Sequence, residues 1–355
     1  MTLIWDCFFF NNELDILETR LYELEHVVDR FVIVEGDRTH SGSPKPSIFN
    51  QNRERFGRWA DRIQHVVAQL DAEIRSPRAA RARDDQQRAA LGRHLADATG
   101  SDDLIFVSDL DEIIDRDVVG YLAGRRDAPI RLRMDHGIYH ANWLMPRPWS
   151  NGTLAFRGDQ LGEKMVLQRL GRPQTDWDGY EEIQLDDAGA HLSFLGGVDT
   201  IRKKFTAYSD DEFNDIRFHG APHLERCMDY GIHYQGRDVL RRLRRSELSP
   251  LLRRLSEHPP SSSFFDFTEP PLSGFQAAAY CGYTWLRTNV GRVPAWFLGM
   301  VDRRPGLVTG PGAPAFWALD AVLRLRRRLR PVNYWALTSG VDPTARTRTV
   351  VRRWR

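Results

Sequence analysis

The sequence predicts an α/β protein built on a mostly parallel sheet flanked by helices. Three observations predict it. Four short runs are almost continuously apolar, as strands covered on both faces must be. Segments with helical spacing separate these runs, and that alternation builds parallel sheets. Two runs end in carboxylates, Glu35 after "FVIV" and Asp109 and Asp111 after "IFVS". Ligands of such sheets bind outside the carboxyl ends of the strands.

The elements follow in order. "LIWDCFFF" (3–10) reads as a central strand. Asn11 and Asn12 break it, and Asn12 is placed to cap a helix marked by Leu14, Leu17, Leu21 and Leu24. Glu13 and Asp15 suit the positive end of that helix. "RFVIVEGD" (30–37) and "IQHVVAQL" (63–70) read as further strands, and 83–98 as a second helix. The strand 104–108 follows, with a short helix after Asp115. Residues 130–134, "IRLRM", alternate and predict a more exposed strand. The stretch 138–200, rich in aromatics and glycine, predicts antiparallel strands and loops. Residues 200–250 read as polar helix, and 258–271, "HPPSSSFFDFTEPP", as a linker or ordered loop. A helix is expected over 314–330. The expected organisation is one α/β domain over 1–250 and a basic helical extension over 251–355.

Composition narrows the class. Hydrophobic residues make up 41% and charged residues 28% of 355, ordinary for a soluble globular protein. The net charge of +2 is uneven: from Arg303 onward there are twelve arginines against Asp320 and Asp342. That tail suits an anionic membrane surface, or simply solubility; nothing supports nucleic acid. Cys7, Cys227 and Cys281 are few and scattered, which excludes a disulfide framework or zinc ribbon. No leader precedes the first apolar run, and no run reaches the about 18 apolar residues of a membrane span. The expected location is cytoplasmic, peripheral to the membrane at most.

The segment "LIFVSDLDEIID" (104–115) carries the chemistry. Crowded carboxylates repel one another, and a divalent cation relieves that repulsion. Hard carboxylate oxygens suit Mg²⁺ or Mn²⁺, ions that keep positions open for substrate phosphates. Helix capping is the plainer reading of the same acids. Two enzyme classes place DxD after a strand: nucleotide-sugar-dependent glycosyltransferases, and haloacid-dehalogenase-like phosphatases with a nucleophilic aspartate, here Asp109. A non-catalytic glycan-binding module is a third possibility.

The stretch 6–49 resembles glycosyltransferase family 17, the family of β-1,4-mannosyl-glycoprotein 4-β-N-acetylglucosaminyltransferase. The resemblance lies in the Phe-rich strand, Asn12–Asp15, Arg20, Glu23–Leu24, Glu35, Thr39, Gly42, Pro44 and Pro46. Gln87 and Arg88, "DDLIFVSDLDEIIDRD", "GAHLSF" (189–194) and "IRKKFTAYSDDEF" (201–213) are similar too.

The resemblance implies a GT-A-like fold and inverting transfer of GlcNAc or a related sugar from a UDP-sugar, UDP-GlcNAc foremost, to a glycan or lipid-linked glycan. It implies Mn²⁺ or Mg²⁺ on Asp109 and Asp111, with His191 as a candidate third ligand; a lone histidine is as readily structural. Glu112 orients the loop. Glu35, Arg20, Gln87, Arg88 and Lys204 are candidates for the nucleotide and its phosphates, although each basic residue has an acid to pair with instead. Asp117 and Asp211, with Asp210 and Glu212 beside the latter, are candidates for the general base. Tyr139, Trp143 and Trp149 offer an acceptor platform or core packing.

Overall fold

The computed structural model describes residues 2–74, 79–126, 129–162, 182–207, 220–269, 272–289, 301, 304–309 and 349–354. Its first half alternates strand and helix: β1 (Ile4–Phe10), α1 (Leu14–Leu24), β2 (Arg30–Gly36), α2 (Ile48–Gln51), β3 (Ile63–Ala68), α3 (Ala79–Ala98) and β4 (Leu104–Asp109). Then come β5 (Glu112–Ile114), α4 (Arg116–Ala123), β6 (Ile130–Leu132), β7 (Asp135–Ile138), β8 (His140–Leu144), β9 (Leu154–Arg157), β10 (Glu182–Leu185) and β11 (Gly189–Ser193). The remainder is mainly helical: α5 (Gly197–Ala207), α6 (Ala221–Tyr230), β12 (Arg241–Arg242), α7 (Pro250–Glu257), α8 (Gly274–Asn289), α9 (Gly306–Thr309) and β13 (Thr349–Arg352).

The larger sheet has eight strands in the order β13-β10-β6-β9-β4-β1-β2-β3. Every neighbouring pair is parallel except those of β9, which runs against both β4 and β6. This is the expected α/β architecture, a parallel-rich sheet with helices packed on it. Its central strands are apolar throughout because both faces are covered. Phe8 and Phe10 of β1 enter one core with Leu17, Leu21 and Leu24 of α1. Trp5 and Cys7 enter the other with Leu91 and Leu95 of α3. All three cysteines are buried, none of them in a disulfide.

The chain lays β1, β2 and β3 in one direction, then crosses back through α3 to place β4 on the other side of β1. The order therefore reverses between β1 and β4, where such sheets open a ligand crevice. In register, Phe9 of β1 faces Asp109 of β4. A second sheet, β12-β8-β7-β11-β5, begins right after this crevice.

Several expectations change. The helix α1 starts at Leu14 with Glu13 at its N-cap and no side-chain cap; Asn12 lies one residue outside and donates its N–H to Glu13 Oε2 at 3.1 Å. The strand β6 is buried at every position, being an inner strand of the large sheet. Residues 258–269 are ordered: Ser261 and Phe264 are buried, and the Ser261 hydroxyl donates to Leu255 O and His258 O. Beyond residue 250, Leu251, Leu252 and Leu255 of α7 join the main core, and β13 pairs with β10. The helix expected over 314–330 lies outside the described residues. Among the described residues, no helix is long and apolar enough to cross a membrane.

Glu35, expected to meet a nucleotide, is fully buried and does something else. It accepts hydrogen bonds from Lys45 Nζ (2.9 Å), Ser47 Oγ (2.8 Å), Ile48 N (2.7 Å) and Phe49 N (3.3 Å), with His65 Nε2 at 3.1 Å. It thus anchors the loop after β2 and the start of α2. Burial alone would push its pKa up; His65, Lys45 and Ser47 more than offset this and hold it at about 2. A carboxyl depressed on folding stabilises the fold above its ordinary pKa of 4.5 and loses that contribution as pH falls toward about 2. Glu35→Gln is expected to lower stability by about 3–5 kcal/mol at pH 7, by stranding buried partners. The deficit should shrink as pH is lowered from about 4.5 to about 2, measured by urea unfolding across that range.

Candidate active site

The strand β4 ends in the acid turn Asp109-Leu110-Asp111, and β5 starts at once with Glu112. Arg20 of α1 holds this turn from beneath. Its Nη1 donates to the carbonyls of Asp109 (2.9 Å), Leu110 (3.2 Å) and Glu112 (2.8 Å). Its Nε and Nη2 grip both oxygens of Asp6 at 2.8 and 2.6 Å, and Nη2 also reaches Ser108 Oγ. Arg20 and Asp6 are both 0% exposed. A planar fork matches a carboxylate two-handed and leaves its third nitrogen for the turn. Arg20, a candidate for phosphate in the sequence, has all its nitrogens engaged inside the fold.

Glu112 closes the turn from the other side. Fully buried, it accepts from Trp149 Nε1 (2.9 Å), Thr153 Oγ1 (3.0 Å) and the Asp109 N–H (3.3 Å). Gly152 permits this, because a Cβ there would strike Glu112 Oε1 and Trp149 Nε1. Glu112 supports the loop and leaves Asp109 and Asp111 as the acids of the crevice.

Asp111 is 7% exposed and faces an ammonium and an imidazole. Lys204 Nζ lies 2.8 Å from its Oδ2, and His191 Nε2 lies 3.5 Å from its Oδ1. Burial pushes this carboxyl up, but Lys204 and His191 prevail and hold it far below the carboxylate range. Lys204 arrives on α5, launched from β11 through three left-handed residues: Phe194 (φ 57°), Gly196 and Gly197. Phe205, next in sequence, stacks on Phe194 at 5.0 Å between ring centroids and fixes that helix.

His191 pairs in register with Glu112 of β5 and His136 of β7. Its ring lies 4.9 Å from His136 and 4.4 Å from Trp149, and its buried Nδ1 has no hydrogen-bond partner among the described residues. Burial, helped by His191, pushes His136 down to about 3, so that ring is neutral at physiological pH.

The other predicted residues separate. Arg88 is 2% exposed, and its guanidinium sits 4.6 Å from the Phe9 ring, near the carboxyl end of β1. Its Nε binds Asp84 at 3.0 Å, while its buried Nη1 has no hydrogen-bond partner among the described residues. Gln87 instead braces the wall, donating to Val34 O at 2.9 Å and meeting His40 Nε2 at 3.1 Å. Asp117 follows the far end of β5, its carboxylate 3.8 Å from Arg254, which also binds Glu23 and Asp115. It belongs to a structural ion cluster rather than to the Asp111 side. Asp211, Asp210 and Glu212 lie outside the described residues. Tyr139 and Trp143, expected as an acceptor platform, are 1% and 2% exposed: Tyr139 donates to Ile232 O, and Arg242 covers Trp143. Trp149 packs on His191.

Sequence reasoning missed two residues here. Glu13 lies 3.6 Å from Lys204 Nζ, so Lys204 stands between Glu13 and Asp111. Its position directly after β1, at the switch point, was the available signal. His136 had none, since its place depends on the pairing of β7 with β11.

The donor chemistry can be weighed against a metal. Among the described residues, no three His, Cys, Asp or Glu side chains form a preassembled ligand set. One or two carboxylates at a crevice nevertheless fit Mg²⁺ or Mn²⁺, which take their other ligands from phosphate and water. The ammonium on Asp111 shows that this carboxylate attracts a cation.

No curated protein matches the chain. Two solved structures of the glycosyltransferase GlyE from Streptococcus pneumoniae TIGR4, one of them the apo form, are similar at 12% identity and a TM-score of 0.27 each. They cover 88% and 87% of this chain, which spans only 65% and 64% of theirs, just under two thirds. The sequence model of glycosyltransferase family 17 matches residues 2–263, about three quarters of the chain and all of the acid turn, Arg20, His191 and Lys204. This chain belongs to glycosyltransferase family 17.

Proposed function

We propose that the protein is a metal-dependent inverting glycosyltransferase that moves GlcNAc, or a related sugar, from a UDP-sugar to a glycan acceptor. The observation that carries this reading is the acid turn at the β1/β4 switch point, held from below by Arg20 in a family 17 chain. Asp109 and Asp111 would hold Mn²⁺ or Mg²⁺, with His191 beside Asp111 as the third candidate ligand. The ion would supply positive charge to the departing diphosphate. The phosphatase reading of Asp109 and the non-catalytic reading draw no comparable support.

The chain's own residues have separate tasks. Arg88, buried over Phe9, and Lys204 beside Asp111 bring positive charge to the crevice, suited to phosphate oxygens. Glu112, Trp149 and Thr153 keep the turn from relaxing, so the charge is organised before the donor arrives. In the transfer, an acceptor hydroxyl attacks the anomeric carbon, the bond to the diphosphate breaks on the opposite face, and a carboxylate takes the hydroxyl proton. Asp211, four residues past the end of α5, is the proposed base. The acceptor is a glycan, lipid-linked in the version that gives the arginine-rich tail a membrane to meet. That tail is largely outside the described residues.

Calorimetry with UDP-GlcNAc should show binding that needs Mn²⁺ and is lost in Asp111→Ala. Metal-independent binding, or binding unchanged in Asp111→Ala, would reject the reading. Arg88→Met should weaken UDP binding by about tenfold to a hundredfold, the worth of a charge-assisted hydrogen bond. The same titration should leave the Mn²⁺ requirement intact.

A further inference from the structure

Lys204 and a divalent ion compete for one atom. The Lys204 ammonium sits 2.8 Å from Asp111 Oδ2, the oxygen that the metal reading needs. His191 stands at the other oxygen, Oδ1. Two cations cannot share Oδ2 at contact distance without strong mutual repulsion, so the ammonium must leave when the ion arrives. Its destination is visible. Glu13 Oε1 is 3.6 Å from the same ammonium, and its side chain is 22% exposed. A lysine has a flexible four-carbon stem, so the transfer needs no movement of α5. The helix is pinned on each side of this motion: Phe205 packs on Phe194 and on Tyr234, both at 5.0 Å.

We infer that Lys204 is a captive cation of the donor site: it neutralises Asp111 while the site is empty, and Glu13 takes it over when a divalent ion claims that carboxylate. The inference rests on the metal reading above and adds a role for Glu13, as a positioning residue acting through Lys204. Without a cation, Asp111 would be a buried charge beside two further acids, Asp109 and Glu112, and would destabilise the turn. With Lys204 there, the empty site is stable, and metal affinity is held down until the donor's phosphates add their own ligands.

The test uses Mn²⁺ alone, with the full chain and no nucleotide, reading free Mn²⁺ by electron paramagnetic resonance. Lys204→Met removes the competitor and should raise Mn²⁺ affinity by at least about tenfold. Lys204→Gln, in case the methionine variant fails to fold, should shift it the same way. Glu13→Gln should lower Mn²⁺ affinity in the wild-type background but not in the Lys204→Met background, since Glu13 acts by drawing the lysine away. Unchanged or weaker Mn²⁺ binding in both Lys204 variants overturns the inference. So does a Glu13→Gln effect of equal size in both backgrounds, which would make Glu13 a direct ligand. If either occurs while Asp111→Asn abolishes Mn²⁺ binding, the metal site stands without the captive lysine. Mn²⁺ binding absent from every variant, or indifferent to Asp111→Asn, overturns both.

Discussion

The buried pair of Asp6 and Arg20 is the constraint on which the rest of the site depends. Asp6 lies in β1 and Arg20 in α1, so the pair locks the first strand to the first helix. The same guanidinium then reaches across to the end of β4 and gathers three carbonyls of the acid turn. One side chain therefore ties together the three elements that meet at the switch point. A fully buried ion pair gains little net stability over an apolar packing of the same volume, but removing one partner alone is severe. What this pair supplies is geometry. One guanidinium gathers three carbonyls of a turn carrying three acids, and lysine could not replace the fork.

Above the turn, charge is managed by neighbours rather than by solvent. Glu112 is tied to Trp149 and Thr153, Asp111 to Lys204 and His191, and His136 is kept neutral by burial. The second sheet exists at this place because β5 continues straight from the turn and pairs with β11. That pairing sets His191 beside Asp111, and the left-handed Phe194–Gly197 bend that follows swings α5 back so that Lys204 meets the same carboxylate. Local backbone strain at Phe194, an aromatic residue at φ 57°, is compensated by its stacking on Phe205 and its edge contact with Tyr234. The acid turn and the second sheet are thus one construction.

Much of this was legible in the sequence. The four central strands stood out because burial on both faces leaves no room for polar residues, and the acids at their ends marked the crevice. What sequence could not give was partner choice. Glu35 and Arg20 sit at strand and helix positions that face a nucleotide site in outline, yet both are consumed by internal partners brought from residues 45–65 and from β1 and β4. Asp117 fitted a spacing, but β5 carries it away from Asp111 toward Arg254 of α7, a contact more than a hundred residues distant in sequence. β6 looked exposed because Arg131 interrupts it; in the fold Arg131 is buried and donates to Gly152 O. Each miss is a long-range pairing that local pattern does not encode.

The most direct measurement is Mn²⁺-dependent UDP binding in Arg20→Lys, made alongside a thermal melt. Arg20 touches no ligand in this account, and lysine keeps its charge. The account predicts a protein that still unfolds cooperatively but binds UDP with Mn²⁺ at least about tenfold more weakly, because lysine cannot hold Asp6 and the turn carbonyls together. A folded Arg20→Lys protein with wild-type binding would contradict it.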